Sequence, residues 1–255
     1  MPQPTIIPAF NWSHLEQAVL GVFTEALNRL AAEPSLPEGE EPINFELYWK
    51  CRKVHHEQLQ AKKSIPFFIL FDSANQPEPD DIVRSRRLRK RPDFGCALTN
   101  SQAIEFEKCQ VIYALECKRL GAPAGNWIFN ENYSEYGMLR FRQVNHSYAK
   151  GASSATMIGY AQSMPEDDLL DDVNVHAAAR TIPSLTKAAV GWAAKAVTSL
   201  DQGPLTRDYD PASIQLRHLW LDLRHMTFIS PPPKPTLVKK KSKRRAARKT
   251  TQEAA

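Results

Sequence analysis

Asp93, Glu116 and Lys118 are the residues of this chain whose types and spacing could do chemistry. Asp93 follows Pro92 and opens the apolar stretch DFGCAL, while Glu116 and Lys118 flank Cys117 near the end of VIYALECKRLG (111–121). Both stretches read as strands. Side chains at i and i+2 of a strand project from one face, so Glu116 and Lys118 point together and Cys117 points the other way. If DFGCAL pairs beside this strand, Asp93 faces the same pocket, and two carboxylates and an ammonium converge. Carboxylate oxygens are hard ligands suited to Mg²⁺, which keeps several waters and completes its shell with substrate phosphate. Such an ion lowers the pKa of a bound water and neutralises charge building on phosphorus. Lys118 is then placed to orient that water or to stabilise the transition state. The competing reading is a surface ion pair between Glu116 and Lys118 with no further role. The Asp/Glu-x-Lys pattern is short enough to arise by chance. It occurs here once, at the end of a strand-like run with a Pro-Asp upstream.

Directly before Asp93, the residues Arg84, Arg86, Arg87, Arg89, Lys90 and Arg91 crowd into eight positions. A metal-binding carboxylate cluster and a phosphate substrate are both anionic and repel each other. Cations beside the site offset that repulsion and hold phosphates in register. Arg86, Arg87, Arg89 and Arg91 are therefore candidate nucleic-acid contacts, against the alternative of a solvated polar connection.

The elements that must position these groups follow from periodicity. Residues 12–32 place Trp12, Leu15, Val19, Val22, Phe23, Ala26, Leu27 and Leu30 at helical spacing. EPSLPEGEEP (33–42) interrupts with three prolines and a glycine. A second helix is predicted from about Ile43, and SIPFFILFDS (64–73) reads as a short buried strand. DFGCAL and QVIYALECKRL follow as successive strands of one sheet. The spacing then predicts a helix over 130–151, a strand over 153–163, mostly helix over 166–200 and a late strand over 214–229. The acids Glu166, Asp167 and Asp168 suit a helix N-terminus, where the macrodipole favours negative charge. His55 and His56 are expected at exposed polar positions, and His218 and His225 at the core edge or surface.

Taken together, these segments resemble the PD-(D/E)XK nuclease superfamily. Pro92-Asp93 matches the first element of the motif and Glu116-Cys117-Lys118 the second. The likeness runs over about residues 40–163, in the order helix, strand, strand with Pro-Asp, strand with Glu-x-Lys, helix, strand. It implies an α/β fold: a restriction-endonuclease-like core with a central mixed sheet flanked by helices, an N-terminal helix and a C-terminal helical extension. It implies Mg²⁺ or Mn²⁺ held by Asp93, Glu116 and the Cys117 carbonyl, with Lys118 assisting the attacking water. It also implies an acid on the first core helix, with Glu41 the first candidate and Glu46 the second. Arg140 and Gln162 occupy positions where such proteins touch phosphate or line the site. ECKRLG, GMLRF and MIGY resemble segments of bacterial members, which points to DNA as substrate and to phage defence or restriction as setting. A homodimer or a partner protein of a defence system fits the same resemblance. The alternative it leaves open is a non-catalytic member of the fold that binds nucleic acid or protein.

Bulk composition narrows the rest. At 255 residues and 42% apolar, the chain can bury a full core as a single domain over 1–230. Residues 231–255 carry nine Lys and Arg against one Glu, behind a Pro-rich linker, and read as a disordered basic tail. Since the formal net charge is +5, the first 230 residues are slightly acidic. Cys51, Cys96, Cys109 and Cys117 form no Cys-x-x-Cys pair and are expected as reduced thiols in a cytoplasmic protein. No apolar run is long enough to span a membrane, and no Walker, dinucleotide or Gly-x-Ser-x-Gly pattern occurs.

Overall fold

The computed structural model describes residues 11–73, 90–100, 103–105, 109–188 and 196–230. Arg84, Arg86, Arg87, Arg89 and the 231–255 segment lie outside the described residues. Helix α1 (Trp12–Ala31) buries the stripe Leu15, Val19, Val22, Phe23, Ala26, Leu27 and Leu30, and the Asn11 side chain accepts the Ser13 N–H at its start. A short strand β1 (Ser35–Pro37) follows. Helix α2 (Glu40–Gln60) starts three residues earlier than its apolar pattern implies, because Gly39 at φ 106° breaks the preceding backbone. Pro42 is tolerated in its first turn, where the amide has no helical acceptor.

The strands β2 (Phe68–Phe71), β3 (Phe94–Thr99) and β4 (Gln110–Leu120) form an antiparallel meander. Helix α3 (Phe129–Glu135) and a 3₁₀ turn (Met138–Phe141) lead to β5 (Ser154–Ala161), which pairs in parallel with β4. Every residue of β5 is buried, as expected of a strand covered on both faces. Helix α4 (Glu166–Ala178) and the strands β6 (Leu185–Lys187), β7 (Val197–Gln202), β8 (Leu205–Thr206), β9 (Ser213–Asp222) and β10 (Thr227–Ile229) complete the chain. The main sheet runs β2-β3-β4-β5-β9-β7-β6, with β8 on β9, and β1 pairs β10 in a separate ribbon. Helices α1 and α2 pack with Phe94, Tyr113, Leu115, Cys117 and Tyr160. The opposite core joins α3 and α4 to Ala114, Leu120, Met157 and Trp220. The result is an α/β fold with a mixed central sheet between helical layers.

Five expectations change. β2 is an edge strand rather than a buried one, and Phe68 is 73% exposed. The expected 130–151 helix is only α3 and a 3₁₀ turn. Gly137 separates them, and a Cβ there would lie 2.3 Å from the Tyr133 carbonyl oxygen. The expected C-terminal helical extension is α4 followed by strands. The chain leaves α4 through Thr181 at φ 55° and Pro183, and Val197–Gln202 then alternates as one-sided strands do. His55 is buried, bonded through Nε2 to the Ile65 carbonyl at 3.0 Å and stacked on Phe67. His218 is also core, between the Tyr133 hydroxyl and Gln202. Burial lowers its pKa to about 3 and keeps it neutral. Cys51, Cys96 and Cys117 are buried free thiols.

Gly159 of β5 lies beside Lys118 of β4, and a Cβ at this position would meet Leu120 Cδ1 at 2.5 Å and Trp220 Cδ1 at 2.7 Å. Gly159→Ala is expected to lower stability by about 1–3 kcal/mol through overpacking, read as a shifted urea midpoint at unchanged slope.

Candidate active site

The site forms where β3 and β4 part. Their ladder ends at the Phe94–Leu115 pair, whereas β4 continues to Leu120 with β5 alone. The exposed edge of β4 would leave backbone donors without a strand partner. Two carboxylates take them. Cys117 N–H donates to Asp93 Oδ2 at 2.7 Å, and Arg119 N–H donates to Glu40 Oε2 at 3.2 Å. Asp93 is itself held by its backbone, since its carbonyl accepts the Asp72 N–H at 2.8 Å. The neighbouring Arg91 carbonyl accepts the Tyr148 hydroxyl at 2.7 Å.

Lys118 stands at the centre. Its Nζ lies 2.9 Å from Glu116 Oε1, 2.8 Å from Glu40 Oε1, 2.6 Å from the Cys117 carbonyl oxygen and 3.9 Å from Asp93 Oδ2. Arg140, from the 3₁₀ turn, reaches Glu116 Oε1 at 2.6 Å and is supported by the Tyr148 ring, 5.9 Å from its guanidinium carbon. Glu116 is 1% exposed, and its Oε2 is buried without a hydrogen-bond partner. An orphaned carboxylate oxygen in the interior is costly, so its presence calls for an explanation.

Three carboxylates thus face two cations. Burial, then the Glu116 charge, pushes the Asp93 carboxyl well above the usual carboxylate range. Burial also raises Glu116, against the pull of Lys118 and Arg140. The carboxylates around Lys118 hold its pKa above the ordinary value, although burial opposes them, so the ammonium stays charged.

The structure brings together Asp93, Glu116, Lys118, Arg140 and the Cys117 carbonyl. It does not bring in Glu41 or Glu46, which are exposed on α2, and Glu40 takes the helix-acid place instead. At 100° per residue, a start at Glu40 rotates its neighbour Glu41 off the site. Gln162 is half-buried just beyond β5 and is tied by its backbone N–H to the Leu120 carbonyl. Arg91 pairs with Asp72 at 2.8 Å on the surface. Arg86, Arg87 and Arg89 lie outside the described residues. Tyr148 and the aromatic residues around Trp127 carried no motif. Gly39 was the available signal for Glu40, as a helix-start glycine.

Among the described residues no group of three or more His, Cys, Asp or Glu side chains is set to hold a metal ion. The donors here are instead two carboxylates and a backbone carbonyl, and they already gather a cation. With the partnerless Glu116 Oε2, the residues fit Mg²⁺ or Mn²⁺ in ligand chemistry.

No family model, no curated protein and no solved structure matches this chain. Its function is therefore read from the geometry of the site. Among the described residues no helix is long and apolar enough to cross a membrane.

A carboxyl with a raised folded-state pKa contributes most below the ordinary carboxylate range, and that contribution is lost as pH rises towards the folded value. Asp93→Asn, which keeps an acceptor for the Cys117 N–H, is therefore expected to melt a few degrees above wild type in metal-free buffer at pH 7. The gap should close towards pH 4, as calorimetric scans across that range would show.

Proposed function

We propose that this chain is a divalent-metal-dependent nuclease with a restriction-endonuclease-like core, hydrolysing phosphodiester bonds in DNA. The observation that carries the reading is the meeting of Asp93, Glu116 and Lys118 at the fork of β3 and β4, with Glu116 Oε2 left without a partner. The succession α2, β2, β3, β4, α3, β5 supports it, with two antiparallel pairings and then a parallel one.

Asp93, Glu116 through Oε2 and the Cys117 carbonyl would hold Mg²⁺ or Mn²⁺. Such an ion, once bound, supplies a water of lowered pKa and offsets charge on the phosphorus. Lys118, kept protonated by the surrounding carboxylates, donates hydrogen bonds to the attacking water or to a phosphate oxygen. Glu40 orients the Lys118 ammonium through its 2.8 Å bond. Arg140 draws in the scissile phosphate, since its guanidinium remains partly exposed while Glu116 holds one edge. Asp93 also fixes the Cys117 peptide, whose carbonyl is one of the ligands.

Isothermal titration with Mn²⁺ followed by cleavage of supercoiled and circular single-stranded DNA tests the reading. Glu116→Ala should lose Mn²⁺ binding and cleavage together. Lys118→Ala should keep Mn²⁺ binding and lose about 10²–10⁴-fold in cleavage rate, the scale of positioned proton-transfer groups. Wild type cutting no better than Lys118→Ala would remove the catalytic reading and leave a binding protein. Neutralising Arg86, Arg87 and Arg89 should flatten the salt dependence of DNA affinity, and an unchanged slope would exclude the run from the contact set.

A further inference from the structure

A cleft of about 380 Å³ adjoins the carboxylate cluster, lined by the charged side chains of Glu40, Lys118, Arg119 and Arg140, by Asn132, and by the rings of Trp127, Phe129 and Tyr136. Its aromatic residues are not packed away. Trp127 is 62% exposed and Tyr136 is 53% exposed. Leaving large rings in water forfeits burial free energy, and clustered exposed rings mark binding surfaces.

The backbone beneath Trp127 is hydrogen-bonded to itself. Ala124 and Trp127 exchange reciprocal N–H to carbonyl bonds of 2.9 and 3.0 Å, closing a two-residue turn through Gly125 at φ +59°. Tyr136 ends α3, its N–H bonded to the Asn132 carbonyl at 2.9 Å. Both rings are thus presented on fixed backbone, which lowers the entropic cost of binding. Arg119 lies with its guanidinium carbon 4.4 Å from the Phe129 ring centroid and makes no ion pair among the described residues. A guanidinium over a ring can keep N–H groups for phosphate oxygens.

Exposed rings and a guanidinium with no ion pair among the described residues together suit one kind of ligand. Aromatic faces take up unstacked nucleobases, and cations track the backbone that joins them. A duplex keeps its base faces inside the stack and offers only edges and phosphates. We propose that this cleft binds an unpaired DNA nucleotide, its base against Trp127 and Tyr136 and its phosphate on Arg119, so that single-stranded DNA reaches the carboxylate cluster. The proposal rests on the nuclease reading for the fate of the strand but not for its binding.

The test is binding of labelled oligothymidylate and of a duplex of equal length, in EDTA so that cleavage does not intervene. Wild type should prefer the single strand, and the binding should quench tryptophan fluorescence. Trp127→Ala should weaken the single strand about tenfold, corresponding to about 1.4 kcal/mol, and more than it weakens the duplex. Trp127→Phe should restore most of that loss, and an unchanged melting temperature for both variants would show that the exposed side chain is not needed for folding. Equal loss on single strand and duplex, or no loss from Trp127→Ala, overturns the proposal. Cleavage by wild type with no Trp127 effect on binding would sink the cleft while leaving the nuclease standing. Trp127-dependent single-strand binding without any cleavage would do the reverse.

Discussion

The site depends on the backbone of β4 where β3 leaves it. A strand that loses its neighbour exposes alternate N–H groups, and in this chain Cys117 and Arg119 carry them. Asp93 and Glu40 supply the missing acceptors, one from the start of β3 and one from the start of α2. Two carboxylates separated widely in sequence are thereby held beside the Lys118 ammonium. The acids that satisfy the strand edge also build the anionic pocket. The cost is electrostatic, and Lys118 and Arg140 only partly offset it. Burial above all, against the pull of those cations, makes Asp93 and Glu116 favour protons more than ordinary carboxylates do.

The layers around the fork pack against it and bond to it. Cys117 turns its thiol into the core under α1 and α2, while Glu116 and Lys118 on either side face the opposite layer. Tyr160 ties β5 to α2 through the Asn44 side chain at 2.7 Å, close to the helix start that positions Glu40. On the other side, Tyr133, His218, Gln202 and Trp220 form a hydrogen-bonded network within the apolar core. A neutral His218 suits that network, because among the described residues a buried imidazolium would have no carboxylate to pair with. Tyr148 joins the two halves of the site, with its hydroxyl on the Arg91 carbonyl and its ring beneath Arg140.

Much of this was legible from local pattern. The α1 stripe, the two strands DFGCAL and QVIYALECKRL, and the side-by-side projection of Glu116 and Lys118 all follow from periods that local sterics impose. The misplaced helix boundaries share one cause. Gly39, Gly137 and Pro183 mark breaks whose effect depends on what packs against them, so helix ends and the 130–151 and 166–200 segments came out too long or misplaced. The choice of Glu40 over Glu41 or Glu46 followed from such a break, because one residue of phase turns a helical side chain by 100°.

By itself, then, the sequence determined which residues could do chemistry and which face each would take within its own element, because alternation along a strand is a local property of the backbone. Only the tertiary structure decided which of those faces meet. The parting of β3 from β4, the rotation of α2 and the seating of Arg140 against Glu116 each arise from contacts between segments far apart in the chain. So too does the orphaned oxygen of Glu116, which no local pattern announces. Burial and long-range pairing are sums over the whole fold, and they set the charge balance from which the proposed chemistry follows.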